Sequence, residues 1–194
     1  MVKAPVAGAV KTRLAGAIGI SRATSFYRAM LARTVRRLGR DPRWRTMLAV
    51  TPDSSLWSPV WPQGVDLVAQ GPGDLGQRMG ALFDRLPRGP VVIIGSDIPD
   101  IAPSDIRSAF KALGSHDAVL GPSPDGGYWL IGLKRTPRIP KPFAGVRWSS
   151  AHTLDDTLAN LADCGVAMLR VLDDIDTGED YRAWRRKRSP FSAF

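Results

Sequence analysis

Four stretches of this 194-residue chain combine residue types that act on phosphates and metals. The first is Gly95-Ser96-Asp97-Ile98-Pro99-Asp100, which follows the apolar β-branched run Val91-Val92-Ile93-Ile94. Open α/β sheets bind ligands just beyond the carboxyl ends of their strands. A carboxylate there is a hard oxygen donor suited to Mg2+ or Mn2+. Asp97 is the candidate ligand, whereas capping or turn chemistry explains Asp100 equally well. The second is Lys3-Ala4-Pro5-Val6-Ala7-Gly8-Ala9-Val10-Lys11-Thr12-Arg13-Leu14. Glycine lets backbone N–H groups approach a phosphate, and Lys and Arg neutralise it. It is not a Walker loop, because no Gly-Lys-Ser/Thr stands at the required spacing. The third, Asp125-Gly126-Gly127-Tyr128-Trp129, reads either as close approach of backbone to a ligand or as a hairpin turn. Asp-Gly favours the turn. The fourth, the acidic run Asp173–Asp180, reads as a helix start whose acids suit the dipole, with Asp176 able to face a site. His116 and His152 have no partner at ligand spacing and read as structural. Cys164 is the only cysteine, so neither an intrachain disulfide nor a Cys-based zinc site can form.

The elements that must position these residues alternate. Residues 4–19, with three glycines and a proline, predict a loop. Helical periodicity runs from about Ser21 to Leu38, from a cap at Asp74 to Leu86, from Pro103 to Leu113, from Ser150 to Cys164, and from Asp176 to Lys187. Strands are predicted at 46–50, 65–69, 91–94, 118–120, 128–133 and 166–172. Residues 134–147 hold three prolines and read as irregular. Strands alternating with helices predict an α/β fold with a mostly parallel sheet. Neither a repeat nor a low-complexity linker divides the chain, so residues 1–194 are expected to form a single domain.

Composition sets the outer bounds. Apolar residues are 44% and charged residues 23%, ordinary globular usage that excludes wholesale disorder. No apolar run approaches the ~18 residues of a membrane span, and Met1–Pro5 lacks the core of a signal peptide, so a cytoplasmic protein is expected. The net charge of +9 points at first to an anionic partner. It divides into +10 over residues 1–45, −6 over 46–181 and +5 over 182–194. The basic run at 185–188 lacks the interleaved aromatics of a nucleic-acid module and reads as a solvated tail, so nucleic acid is not the expected partner.

Taken in order, six stretches resemble the bacterial GT-A-type glycosyltransferase-like proteins of the nucleotide-diphospho-sugar transferase superfamily. These are relatives of the molybdenum-cofactor and phospholactate guanylyltransferases. The stretches are Lys3–Leu14, Gly73–Met79, Gly95–Asp100, Asp125–Tyr128, Trp148–Ser150 and Asp174–Thr177. The resemblance implies a Rossmann-like GT-A three-layer sandwich around a mixed, mostly parallel central sheet. It implies Mg2+ or Mn2+, held by Asp97 and Asp176, and catalytic roles for Asp97 and Asp125. Lys3, Gly8, Lys11 and Arg13 would hold the nucleotide diphosphate, with Asp74 and Arg78 along the nucleotide pocket. Gly126, Gly127 and Trp148 would lie on the acceptor side. The implied partners are a nucleotide or nucleotide-sugar and a small-molecule acceptor. The implied activity is glycosyl transfer, with nucleotidyl transfer to a phosphorylated small molecule as the alternative. The loop lacks the Gly-Gly-rich, Arg-x-Gly-x-x-Lys form of the molybdenum-cofactor enzymes, which favours glycosyl transfer. Two departures stand out. Only Met1 and Val2 precede the Lys-Ala-Pro stretch, where relatives carry four to six apolar residues as a first strand. That strand is therefore expected to be truncated, with the true start upstream. Gly178 replaces a proline and is expected to loosen the last helix start.

Overall fold

A computed structural model describes residues 1–187. Strand β1 (Val2–Lys3) leads through a loop into helices α1 (Thr12–Ile18) and α2 (Ile20–Leu38). There follow β2 (Met47–Thr51), β3 (Asp66–Ala69), α3 (Leu75–Arg85), β4 (Val91–Ile94) and α4 (Pro103–Ala112). The chain continues through β5 (Ala118–Pro122), β6 (Tyr128–Leu133), α5 (Thr153–Ala159), β7 (Val166–Met168) and α6 (Gly178–Lys187). Two hydrogen-bonded sheets form, in orders β1-β2-β3 and β4-β6-β5-β7. The pairs β1–β2, β2–β3 and β5–β7 are parallel, whereas β6 runs antiparallel to β4 and β5. The expected short first strand is seen as the two-residue β1.

Period-2 alternation builds the layers. Val91, Ile93, Ala118, Leu120, Ile131 and Leu133 face one core, shared with Met79, Leu82 and Phe83 of α3 and with Leu154 and Leu158 of α5. Val92, Ile94, Val119 and Leu130 face the other, shared with Leu38 of α2 and with Ile106 and Ala109 of α4. Helices thus cover both faces, which is the three-layer arrangement.

Three local expectations need correction. Residues 12–18 are helical, not loop. Of the three glycines there, only Gly8 and Gly19 adopt positive φ. Gly16 lies inside α1, which is anchored by the fully buried Leu14. The helix expected over 150–164 spans only Thr153–Ala159. The Thr153 hydroxyl donates back to the Arg147 carbonyl, and the Asn160 amide donates to the Pro142 and Ala144 carbonyls, so side chains hold both ends to the preceding excursion. The strand expected over 166–172 ends at Met168, beyond which the Leu169 and Leu172 N–H groups still donate to the Leu120 and Pro122 carbonyls of β5. Helix α6 runs to Lys187, as expected, and of the basic tail over 182–194 the residues 188–194 lie outside the described residues.

Among the described residues, no helix is long and apolar enough to cross a membrane. Part of the basic N-terminal block makes contacts within the chain. Arg43 pairs with Asp41 and Arg45 with Asp66. Arg28 donates to the Pro5 carbonyl at 3.1 Å.

Candidate functional site

The carboxyl ends of β1 to β4 converge on one pocket of about 490 Å³. Lys3, Thr51, Gln70, Ser96 and Asp97 come from those strand ends, and Lys11, Arg13 and Asp176 close the opposite side. The position follows from topology, since parallel strands present the same end to one edge of the sheet.

Lys11 is the centre of the site. It stands at the head of α1 in a left-handed backbone conformation, φ 48°. Its Nζ lies 2.6 Å from Asp97 Oδ2 and 2.6 Å from Asp176 Oδ1. The Lys11 side chain is 4% exposed. Burial alone would pull its ammonium down, but Asp97 and Asp176 outweigh that and hold it above its ordinary value. Arg13, mostly exposed, reaches within 3.6 Å of Asp176 Oδ2. Two carboxylates that are 79 positions apart in sequence (97 and 176) therefore share one cation.

A third carboxylate completes the cluster. Oxygens of Asp97, Asp174 and Asp176 all lie within 4.8 Å of one another. Burial, and then the charge of Asp176, push the Asp174 carboxyl up to about 7. Three hard oxygen donors at this spacing fit a small divalent cation. Asp174 was not singled out as a ligand from sequence, although a signal was there. In the extended stretch Asp174-Ile175-Asp176, alternation puts both carboxylates on one face, and Ile175, 2% exposed, is buried on the other.

Tyr27 and Ser96 were also missed as site residues. Tyr27 reads from sequence as an apolar position of a helix. Its hydroxyl donates to the Lys3 carbonyl at 3.1 Å, accepts from the Lys3 N–H at 3.0 Å and lies 3.3 Å from Ser96 Oγ. It ties the end of β1 to the turn that carries Asp97. The buried Gln70 amide donates to the Val2 and Ala49 carbonyls and braces the pocket floor.

The remaining candidates scatter. Gly8 turns the loop at φ 76° but does not line the pocket. Asp74 caps α3, accepting from the Gln77 N–H at 2.8 Å, while Gln77 reciprocates. Arg78 donates to the Gly73 carbonyl and approaches Thr51 Oγ1 at 3.5 Å. Asp125 is exposed at the β5–β6 hairpin, where its Oδ1 accepts from the Gly127 N–H. Its charge nonetheless acts on Asp174. Gly126, φ 82°, is required by its neighbour: a Cβ there would collide with the Ala151 carbonyl. The close approach is backbone to backbone, within a hairpin turn. The half-buried Trp148 ring covers Gly76 of α3 and lies 6.0 Å from Phe143, packed against the core. The start of α6 is firm, not loose. The Asp180 carboxylate accepts from the N–H groups of Asp176 and Thr177, and Gly178 admits Ala17 of α1 where a side chain would clash.

The fold and site define an α/β domain with a cationic, carboxylate-lined pocket at the ends of its parallel strands. Residues 34–150 match the family described as "Uncharacterized protein conserved in bacteria (DUF2064)", and the chain belongs to that family. It is similar to a solved structure from Desulfovibrio desulfuricans G20, described as a "putative nucleotide-diphospho-sugar transferase". The identity is 32%, with a TM-score of 0.85, over 98% of this chain and 86% of that one. It is 31% identical, over 138 residues, to 2-phospho-L-lactate guanylyltransferase of Methanopyrus kandleri, covering 70% of this chain. That match spans 64% of the relative's length. Rv0371c of Mycobacterium tuberculosis H37Rv, at 19% identity and a TM-score of 0.53 over 81% of this chain, shares the fold.

Proposed function

We propose that this chain is a metal-dependent glycosyltransferase that takes a nucleoside diphosphate sugar and a small-molecule acceptor. The observation that carries the reading is Lys11, buried between Asp97 and Asp176 in a pocket at the carboxyl ends of four strands. Such a site offers positive charge to a diphosphate and carboxylates to a cation side by side. The Desulfovibrio structure supports a nucleotide-sugar substrate.

In this reading Lys11 and Arg13 bind the diphosphate, and Lys3 lines the pocket. Asp97, Asp174 and Asp176 hold Mg2+ or Mn2+, which would supply charge neutralisation on the departing nucleoside diphosphate. Tyr27 and Ser96 orient the Asp97 turn. In this reading Asp125, whose charge acts on Asp174, accepts the acceptor's proton as the acceptor oxygen bonds to the sugar carbon and the bond to phosphate breaks. Gly126 and Gly127 shape the turn that presents it. Asp74 and Arg78 order the segment beside the pocket.

A second reading is nucleotidyl transfer to a phosphorylated small molecule. The 31% identity to a guanylyltransferase favours it specifically. One experiment separates them. A panel of nucleoside triphosphates and nucleotide sugars is incubated with Mn2+, with released pyrophosphate and nucleoside diphosphate measured separately. Nucleoside diphosphate release from a sugar donor supports glycosyl transfer, and pyrophosphate release from a triphosphate supports the second reading. Absence of any Mn2+-dependent nucleotide binding refutes both.

A further inference from the structure

Lys11 and a divalent cation would draw on the same oxygens. The Lys11 Nζ lies 2.6 Å from Asp97 Oδ2 and 2.6 Å from Asp176 Oδ1. Oxygens of those two residues and of Asp174 all lie within 4.8 Å of one another. An Mg2+ ion sits ~2.1 Å from its oxygen ligands. At that distance from these carboxylates it would press against the ammonium, and like charges so close repel. The two cations therefore exclude each other.

The main chain of Lys11 is fixed while its side chain can turn. The Lys11 carbonyl accepts from the Ala15 N–H at 2.8 Å, and α1 is held down by the fully buried Leu14. With φ 48° and ψ 45°, Lys11 adopts a left-handed conformation that residues other than glycine seldom take. Such strain collects at ligand clamps and switch positions. The side chain ends in a point charge on a flexible four-carbon stem. It is 4% exposed, so its ammonium can leave the two carboxylates only for another anion inside the pocket, not for water. Lys3, Thr12 and Arg13 line the same pocket and mark the side on which an anion is welcome. Arg13 already reaches within 3.6 Å of Asp176 Oδ2.

We propose that Lys11 makes cation binding conditional on a diphosphate. In the free chain its ammonium holds Asp97 and Asp176. A ligand with two adjacent phosphates draws the ammonium onto one phosphate and leaves the carboxylates, with the second phosphate, to the cation. A single phosphate does not suffice, because the ammonium and the dication would then crowd one anion. Arg13 stays beside Asp176 throughout. Diphosphate and cation therefore raise the affinity for each other, by the same factor in both directions. The exchange presupposes that diphosphate and cation share this pocket, as proposed above, and it serves sugar-nucleotide and triphosphate donors alike.

The test follows protein-bound Mn2+ by electron paramagnetic resonance in the full chain and in Lys11→Met. Each is titrated alone, with inorganic pyrophosphate and with inorganic phosphate, and chelation of Mn2+ by each anion is measured separately. In the parent, pyrophosphate is expected to tighten Mn2+ by roughly tenfold or more, and phosphate by much less. In Lys11→Met the gain from pyrophosphate is expected to shrink by about the same factor. Acylation of the Lys11 amine, read by mass spectrometry in the parent, reports the exchange without a variant. It is expected to be slow in the free chain and several-fold faster once Mn2+ alone is driven on at high concentration. Unchanged acylation under saturating Mn2+ overturns the proposal, even should Lys11→Met fail to fold. An equal gain from pyrophosphate in parent and variant overturns it while leaving the shared pocket standing, and a phosphate effect equal to that of pyrophosphate overturns the need for a diphosphate. A parent that binds neither Mn2+ nor pyrophosphate overturns the shared pocket itself, and the exchange with it.

Discussion

Replacing Lys11 by methionine removes the one cation held between Asp97 and Asp176 while keeping the bulk of the stem. Both carboxylates lie 2.6 Å from its Nζ, and with Asp174 their oxygens stay within 4.8 Å of one another. Two like charges at that separation repel by about 3.5 kcal/mol at an effective dielectric of 20. Asp97 and Asp176 are 25% and 41% exposed, so solvent screens part of this. A loss of ~2–3 kcal/mol remains, or roughly 5–10 °C in melting temperature for a chain of this size. The variant also behaves in a way that simple damage would not. Without the ammonium, the carboxylates are free for a divalent ion, so Mn2+ binds more tightly without nucleotide and restores the lost stability. Nucleotide affinity falls at the same time. Thermal melts with and without Mn2+, and Mn2+ titration followed by electron paramagnetic resonance, read both effects. A variant that melts like the parent, or that binds Mn2+ no better, refutes the view that Lys11 and a cation contend for one set of carboxylates.

Three further outcomes follow from individual groups. The Asp174 carboxyl, pushed up to about 7, must lose its proton to bind a cation. Apparent Mn2+ affinity is therefore expected to drop several-fold between pH 7 and 6, and Asp174→Asn to bind weakly with a flat profile by isothermal titration. The Met1 amine, pulled down to about 6 by burial, holds its proton less tightly folded than unfolded. Its contribution to stability rises between pH 6 and 8 by up to ~2–3 kcal/mol. The difference in melting temperature between the free and N-acetylated chain should accordingly be large at pH 6 and small at pH 8. Gly126→Ala forces a Cβ onto the Ala151 carbonyl at φ 82°, which is expected to cost ~1–3 kcal/mol, read by chemical denaturation. No change there would mean that the 149–152 segment yields freely.

The local chemistry of the chain was well written in the sequence where it depended on neighbours. Val91–Ile94 forms strand β4 because four β-branched residues stand together, and Asp97 falls just beyond its carboxyl end for the same reason. Asp74 caps α3 because a short acceptor followed by Gln77 satisfies two orphan backbone groups. Distant contacts left no such trace. Nothing near Lys11 shows that it meets Asp176, 165 positions away, and nothing near Tyr27 shows that its hydroxyl holds Lys3 and Ser96. Glycine is ambiguous in sequence: Gly16 reads as a loop signal but lies in α1 with open space beside it, while Gly126, where Asp-Gly favours a turn, abuts the Ala151 backbone. Nothing near Trp148 shows that one face of its ring packs on Gly76 of α3. The short β1 was legible from Val2 and Lys3, but its pairing with Val50 and Thr51 left no trace in the sequence.

The most direct test of the proposed function is calorimetric titration of nucleoside diphosphate sugars into the parent chain and Asp97→Asn, each with Mn2+ and with a chelator. Asp97 is 25% exposed and makes its contact with Lys11 at the surface of the pocket, so the variant is expected to fold. The parent should bind at least one donor in a Mn2+-dependent manner, and Asp97→Asn should lose the Mn2+ dependence while keeping its melting temperature within a few degrees. Equal Mn2+-dependent binding by both proteins would contradict the assignment of the cation to this carboxylate cluster.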